Sequence, residues 1–256
     1  MPTAQPTRNT ETEALERHLD YLKLSFIREH LDDFAKLAAE QHWEPITFLA
    51  KLIEGEAQRR QDRSIERRVR LARFPVRKSL EQFQWNWPKK INRAQIQNLF
   101  RLAFLDDNTN VVFIGGVGLG KSHLATALGL AACHHGHSVL FASTVDVINT
   151  LAGAQAVGRL KLELRKYIRP RVLILDEIGY LPIDKTGADL LFQIISQRYE
   201  HGSTILTTNR VYKKWAEIFN NDSTLTSAVL DRLLHHAETI TIEGKSFRMK
   251  DQLHEP

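Results

Sequence analysis

Four glycines followed by a lysine and a serine mark the first place where this chain can do chemistry. Gly115, Gly116, Gly118 and Gly120 precede Lys121 and Ser122 in the stretch VVFIGGVGLGKSHL, with the spacing G-x-x-x-x-G-K-[ST]. Glycine tolerates positive φ and close approach of other atoms. The backbone N–H groups along Gly115, Gly116, Val117, Gly118, Leu119 and Gly120 can therefore converge on a chain of phosphates. Lys121 then reaches the outer phosphates, the Ser122 hydroxyl is a hard oxygen ligand for Mg²⁺, and His123 completes the candidate binding loop. A second set of groups stands farther along. Asp176 and Glu177 close the apolar run VLIL at 172–175, with Asp176 suited to the Mg²⁺ shell and Glu177 to polarising a water. Asn209 ends ILTTN and offers an amide to position that water beside a terminal phosphate. An Asp-Glu pair alone is a common turn. At ordinary crossover distance from a phosphate loop it is the other half of one site.

The elements that must carry these groups are legible as apolar runs. Residues 111–114, 139–142, 172–175, 204–208 and 239–242 read as short strands, and an unbroken apolar run suits a strand buried on both faces of a parallel sheet. Between them lie helical patterns. Leu124 and Leu128 share a face after the loop, Ser143 or Thr144 caps a helix through Val147, Ile148 and Leu151, and Thr186 caps another through Leu190, Leu191, Ile194 and Ile195. Ligands of open parallel sheets bind at the C-terminal ends of the strands, where the loop and the carboxylates both fall.

The part before the loop has a different character. Residues 1–10 are polar and without periodicity and are expected to be disordered. Leu15, Leu19, Leu22, Phe26, Leu31, Phe34 and Ala38 then trace an amphipathic helix, whole or broken in two, and a second helix opens at Pro45 and ends at Pro75. This gives a helical N-terminal domain over 11–78, a linker over 79–92 and a nucleotide-binding domain over 93–256. The later part of the second helix carries Arg59, Arg60, Arg63, Arg67 and Arg70 among further arginines, against only Asp62 and Glu66. That density exceeds what helical ion pairs neutralise and suits the phosphates of nucleic acid; a solvated face or an acidic partner is the alternative. Arg159, Lys161 and Arg165 form a second basic patch of the same ambiguity. Phe83, Trp85 and Trp87 alternate in the linker, where aromatics pin a segment to a domain surface or stack on bases. Asn92 begins a short helix and pairs with Gln95 as its cap.

A formal net charge of +5 attracts a polyanion without identifying one. No apolar run is long enough to span a membrane and no signal-peptide pattern is present, so no membrane partner is expected. The single cysteine, Cys133, lies in a helix and is assigned to packing. A cytoplasmic location fits these features.

The segments GGVGLGKSHLATAL, VLILDEIGYLPI, ILTTNR, LTSAVLDRLLHHAE and GKSFR together resemble the AAA+ ATPases, and more closely the IstB family of transposition helper ATPases, relatives of DnaC and DnaA. The resemblance covers nearly the whole chain, and its last two segments are its most specific part. It implies an α/β fold with a five-stranded parallel sheet in the order 5-1-4-3-2, flanked by helices and preceded by a small all-helical domain. It also implies ATP and Mg²⁺ as cofactors, Glu177 as catalytic base and Asn209 as a sensor of the terminal phosphate. Arg232 would be a finger inserted into a neighbouring subunit's site, and Arg248 a second sensor. With eight residues after Arg248, a helical lid like that of larger AAA+ proteins is not expected. The partners implied are double-stranded DNA, a cognate transposase and further copies of the chain. A replicative helicase loader shares this chemistry, and a small-molecule kinase shares the phosphate loop alone.

Overall fold

The computed structural model describes residues 8–247 of the chain. They form ten helices and five strands: α1 (Arg8–Tyr21), α2 (Ser25–Glu40), α3 (Pro45–Ala72), α4 (Arg93–Leu99), β1 (Asn110–Gly115), α5 (Lys121–His134), β2 (Val139–Ser143), α6 (Thr144–Ala156), α7 (Leu160–Ile168), β3 (Val172–Ile178), α8 (Lys185–Arg198), β4 (Ser203–Thr208), α9 (Trp215–Ile218), α10 (Ser223–Leu234) and β5 (Ala237–Ile242). The chain divides into two compact units, Met1–Glu66 and Arg67–Pro256. The boundary falls within α3, so the connector over 79–92 belongs to the second unit. Of the tail expected over 1–10, residues 1–7 lie outside the described residues, and Arg8 already begins α1.

In the first unit the long amphipathic pattern is broken in two. Lys23 adopts a left-handed φ of 56° between α1 and α2. The residue before α2, Leu24, has no side chain able to cap the exposed N–H groups of a helix start. Glu56 of α3 supplies the cap from a distance: its buried carboxylate accepts from the N–H of Phe26 at 2.7 Å and of Ile27 at 3.3 Å. Gly55 beside it leaves room for the Phe26 ring, which any Cβ there would strike. Leu19, Ile27 and Leu52 form the buried centre, with Leu31, Phe34 and Phe48 packed against it.

The second unit holds a parallel sheet in the order β2-β3-β4-β1-β5, the 5-1-4-3-2 order that the family resemblance implies. Residues alternate between its faces. Val112, Ile114, Leu173, Leu175 and Leu206 join the core under α6 to α10. On the other face Ile174 approaches α5 so closely that a Cβ on Gly129 would lie 2.6 Å from its Cδ1. Interior strand residues are thereby buried on both sides, which is why the strands read as continuous apolar runs. Local signals were less faithful. Asn92 does cap α4, accepting from Gln95 N at 3.0 Å. The N-cap of α8, however, is Asp184, whose carboxylate accepts from Gly187 N at 2.8 Å, and Thr186 falls inside the first turn.

One buried charge ties the far edge of the sheet together. Arg198, 2% exposed at the end of α8, donates from Nη1 to the carbonyls of Tyr167, Ile168 and Pro170 at 3.1, 3.0 and 2.8 Å. Its Nη2 reaches the carbonyls of Arg171 at 3.3 Å and Ser203 at 2.7 Å, and its Nε reaches Thr204 Oγ1 at 3.1 Å. These acceptors include the last carbonyls of α7, the negative end of that helix, so carbonyl dipoles take the place of a carboxylate partner. Burial, and secondarily Arg171, lowers the Arg198 pKa to about 10, still charged at neutral pH. Arg198→Met leaves those carbonyls without their donor and is expected to destabilise the chain by about 2–4 kcal/mol. A shift of the urea midpoint reads the loss, and an unmoved midpoint would show that the clasp contributes nothing.

Candidate nucleotide site

The phosphate loop lies between β1 and α5. Gly115 ends β1 against β5, where a Cβ would collide with the Ile242 carbonyl. Gly118 and Gly120 have φ of 75° and 86°, a region that side chains disfavour. Gly120 is the N-cap of α5, so the loop presents the positive end of that helix to an anion. Val117 is exposed and Leu119 buried, which anchors the loop at one residue and opens it at the other. Lys121 donates from Nζ to the carbonyl of Gly116 at 2.7 Å, curling its ammonium over the loop. Ser122 and His123 follow in the first turn of α5.

The carboxylates stand one strand away from β1. Asp176 is half-buried and Glu177 exposed. Asp176 Oδ1 accepts from Thr207 Oγ1 at 2.6 Å, and its carbonyl accepts from Thr144 Oγ1 at 2.9 Å. Glu177 has a left-handed φ of 60°, a conformation that costs a non-glycine residue on the order of 1–3 kcal/mol. Ser122 and Asp176 offer oxygens of the hard kind that Mg²⁺ takes, and they are the residues that would hold such a cation.

A cavity of about 800 Å³ opens over these elements. Residues 117–123, Glu177, Thr208 and Asn209 line it together, and Asp176 is not among the residues of its wall. The opposite wall is one the motifs did not reveal. Residues 76–78, just before the connector, and 82–84, Trp87 and Pro88 within it line the cavity, joined by Tyr180 and Phe247. Phe83 is buried against the loop, where a Cβ on Gly120 would lie 2.6 Å from its Cε2. Its ring meets those of His123 at 5.4 Å and Trp85 at 5.0 Å, edge to face. Trp87 packs on Phe247 at 5.4 Å and donates from Nε1 to the Lys245 carbonyl at 2.8 Å. Lys90 and Glu243 exchange backbone hydrogen bonds at 3.1 and 3.0 Å, and Phe247 N donates to the Gly118 carbonyl at 2.9 Å. The connector aromatics are therefore pins: Phe83 holds the connector on the phosphate loop, and Trp87 holds it on Lys245 and Phe247. The alternation of Phe83, Trp85 and Trp87 was their only signal.

The remaining candidates lie elsewhere. Arg232 does not line the cavity; its guanidinium sits 5.0 Å from the Phe192 ring centroid and donates to the Ala228 carbonyl at 3.0 Å. Arg248 lies outside the described residues. In the first unit Arg59 is held by Glu29 at 2.7 Å and lies over the Phe26 ring, whereas Arg60 and Arg63 are exposed. Arg67 and Arg70 of the second unit are exposed too. Arg159, Lys161 and Arg165 are exposed around α7, where Arg165 borders a second cavity of about 780 Å³ with Arg73, Lys166 and Arg169.

A phosphate loop after the first strand of a 5-1-4-3-2 sheet, with acidic residues ending the third strand two places away, is the arrangement of a P-loop nucleotide-binding fold. The chain is similar to the DnaC helicase loader, with a TM-score of 0.53 and 24% identity over 64% of this chain and 96% of that one. It is also similar to AMPPCP-bound DnaA from Aquifex aeolicus, with a TM-score of 0.55 and 20% identity over 71% and 56% of the two chains. These likenesses establish the fold. Residues 17–255 match the IstB-like ATP binding protein family, and the chain belongs to that family. Its relatives include the insertion sequence IS232 ATP-binding protein of Bacillus thuringiensis subsp. berliner, 41% identical over 93% of this chain and 94% of that protein. The insertion sequence IS21 ATP-binding protein of Pseudomonas aeruginosa is 40% identical over 93% and 89%.

His123 reports on the contact between loop and connector. Its Nε2 lies 2.7 Å from the Ser79 carbonyl, so that nitrogen carries a proton. Burial is the largest influence on the ring and lowers its pKa from the ordinary 6.5, against the opposing pull of the Ser79 carbonyl. An NMR titration is expected to place His123 below 6.5, and Phe83→Ala, which opens the ring to water, to move it back up. A His123 that titrates at or above 6.5 in the wild type would mean that the connector does not shield the loop.

Proposed function

We propose that this chain is a helper ATPase of an insertion sequence. It binds ATP with Mg²⁺, assembles with further copies on double-stranded DNA, and recruits or stimulates a cognate transposase. The observation that carries this reading is the convergence of residues 117–123, Glu177 and Asn209 on one cavity, in a chain whose named relatives belong to insertion sequences. That context also favours transposition over helicase loading.

The residues divide the work as follows. The loop N–H groups, Lys121 and the N-terminus of α5 hold the phosphates, and Ser122 with Asp176 holds the Mg²⁺, which neutralises charge on them. Glu177 accepts a proton from water as the water oxygen bonds to the γ-phosphorus. The bond from that phosphorus to the β,γ-bridging oxygen breaks, and ADP and phosphate result. Asn209 orients the water. Arg60, Arg63, Arg67 and Arg70 contact DNA phosphates, with Arg159, Lys161 and Arg165 as a second contact, so binding has little sequence preference.

Lys121→Ala is expected to abolish ATP binding, while Glu177→Gln binds ATP, hydrolyses it poorly and stays on DNA. Replacing Arg63, Arg67 and Arg70 by Ala is expected to flatten the log–log salt dependence of DNA affinity by roughly one unit per lost phosphate contact. Equal ATP affinity in wild type and Lys121→Ala removes the phosphate assignment; an unchanged salt slope in a folded triple variant moves the DNA contact off α3.

Arg232, which does not line its own subunit's cavity, acts across a subunit boundary in this reading. A guanidinium reaching a neighbour's γ-phosphate stabilises charge as the bond breaks, an effect of about 10³- to 10⁵-fold in rate. Mixing Arg232→Ala, which keeps its loop, with Lys121→Ala, which keeps its arginine, is expected to restore ATP hydrolysis. Absence of recovery in mixtures that co-sediment would leave Arg232 without a role in trans.

A further inference from the structure

The register of β3 against β4 is broken at one point. Leu175 pairs with Leu206, and pairing resumes with Ile178 opposite Thr208. Between those pairs β3 carries two residues, Asp176 and Glu177, and β4 carries one, Thr207. In an uninterrupted strand, adjacent side chains leave on opposite faces, and two neighbouring carboxylates would be sent apart. A bulge of two residues against one re-aims a side chain at the cost of a ladder hydrogen bond. Here the left-handed φ of Glu177 makes the bend.

Thr207 closes both loose ends with one hydroxyl. Its Oγ1 accepts from the Glu177 N–H at 2.9 Å, the donor that the bulge turns out of the ladder. The same Oγ1 donates its only proton to Asp176 Oδ1 at 2.6 Å, leaving Oδ2 outside that bond. Thr207 is 0% exposed, so no bulk water competes for the hydroxyl. We infer that Thr207 is a positioning residue that sets Asp176 for the metal and Glu177 for the water through a single side chain. The inference rests on the reading of this site as one for Mg²⁺ and ATP. It distinguishes Thr207 from its neighbour Thr208, whose hydroxyl accepts from Arg210 N at 3.0 Å.

Thr207→Val keeps the shape of the side chain and removes both bonds, and Thr207→Ser keeps the hydroxyl. The test uses the full chain and reads four quantities: thermal midpoint, ATP affinity in EDTA, Mn²⁺ affinity of the nucleotide complex by electron paramagnetic resonance, and kcat with KM. In Thr207→Val the Mn²⁺ affinity and kcat are each expected to fall about 10- to 100-fold, as when an outer partner of a metal ligand is removed, with metal-free ATP affinity and KM unchanged. Thr207→Ser is expected to restore both. Thr207→Ala carries the same expectation and replaces valine where valine unfolds the chain. Wild-type Mn²⁺ affinity and kcat in the folded valine or alanine variant, or a serine variant as defective as valine, overturns the inference alone. A wild-type chain that binds nucleotide without any Mn²⁺ overturns the reading of the site together with the inference.

Discussion

A parallel sheet covered on both faces has no free side chains except at the ends of its strands, and the arrangement of this chain follows from that constraint. Between the layers β1, β3 and β4 offer only apolar residues and the hydroxyls of β4. Groups able to touch a phosphate or a water must gather at the C-terminal edge. The order β3-β4-β1 makes the strand bearing Asp176 and Glu177 a next-but-one neighbour of the strand bearing the glycine loop. The strand between them ends in Thr207 and Thr208, with Asn209 just beyond: Thr207 bonds to Asp176 and Glu177, and Thr208 and Asn209 line the cavity with the loop.

At three places where the regular pattern stops, a side chain from elsewhere closes open hydrogen bonds. Glu56 caps α2, Arg198 covers the last carbonyls of α7, and Thr144 reaches the Asp176 carbonyl. Each is polar and largely buried, and the surroundings supply the partners that make such burial tolerable. The connector follows the same rule on a larger scale. Phe83 and Trp87 fill apolar space beside a loop whose glycines have no side chains of their own with which to fill it.

The strands and the loop were legible because their signals are local: a double-sided apolar run has little other meaning, and the spacing of glycine, lysine and serine is set by the geometry of a phosphate chain. Features that depend on which strand lies beside which were not. Thr207 reads as an ordinary strand threonine until β4 is placed next to a bulged β3. Arg59 reads as one more cation in a basic helix, and only the packing of α2 on α3 commits it to Glu29. The wall formed by the connector was half legible: its aromatics signalled an attachment, and the glycine loop they attach to left no hydrophobic pattern. Asp184 displaced Thr186 as the cap of α8 because both can cap, and the choice belongs to the turn that precedes them.

The placement of Trp87 has an optical consequence. Of the four tryptophans, Trp43 lies in the first unit, Trp215 is wholly enclosed, and Trp85 is covered by the Arg93 guanidinium at 4.9 Å. Trp87 alone among them lines the cavity, with its indole N–H fixed on a backbone carbonyl. An indole in that position changes its surroundings when a ligand fills the cavity, whereas the enclosed Trp215 keeps its own. The emission spectrum of the unlabelled chain is thus a built-in gauge of occupancy, with Trp215 as its constant background.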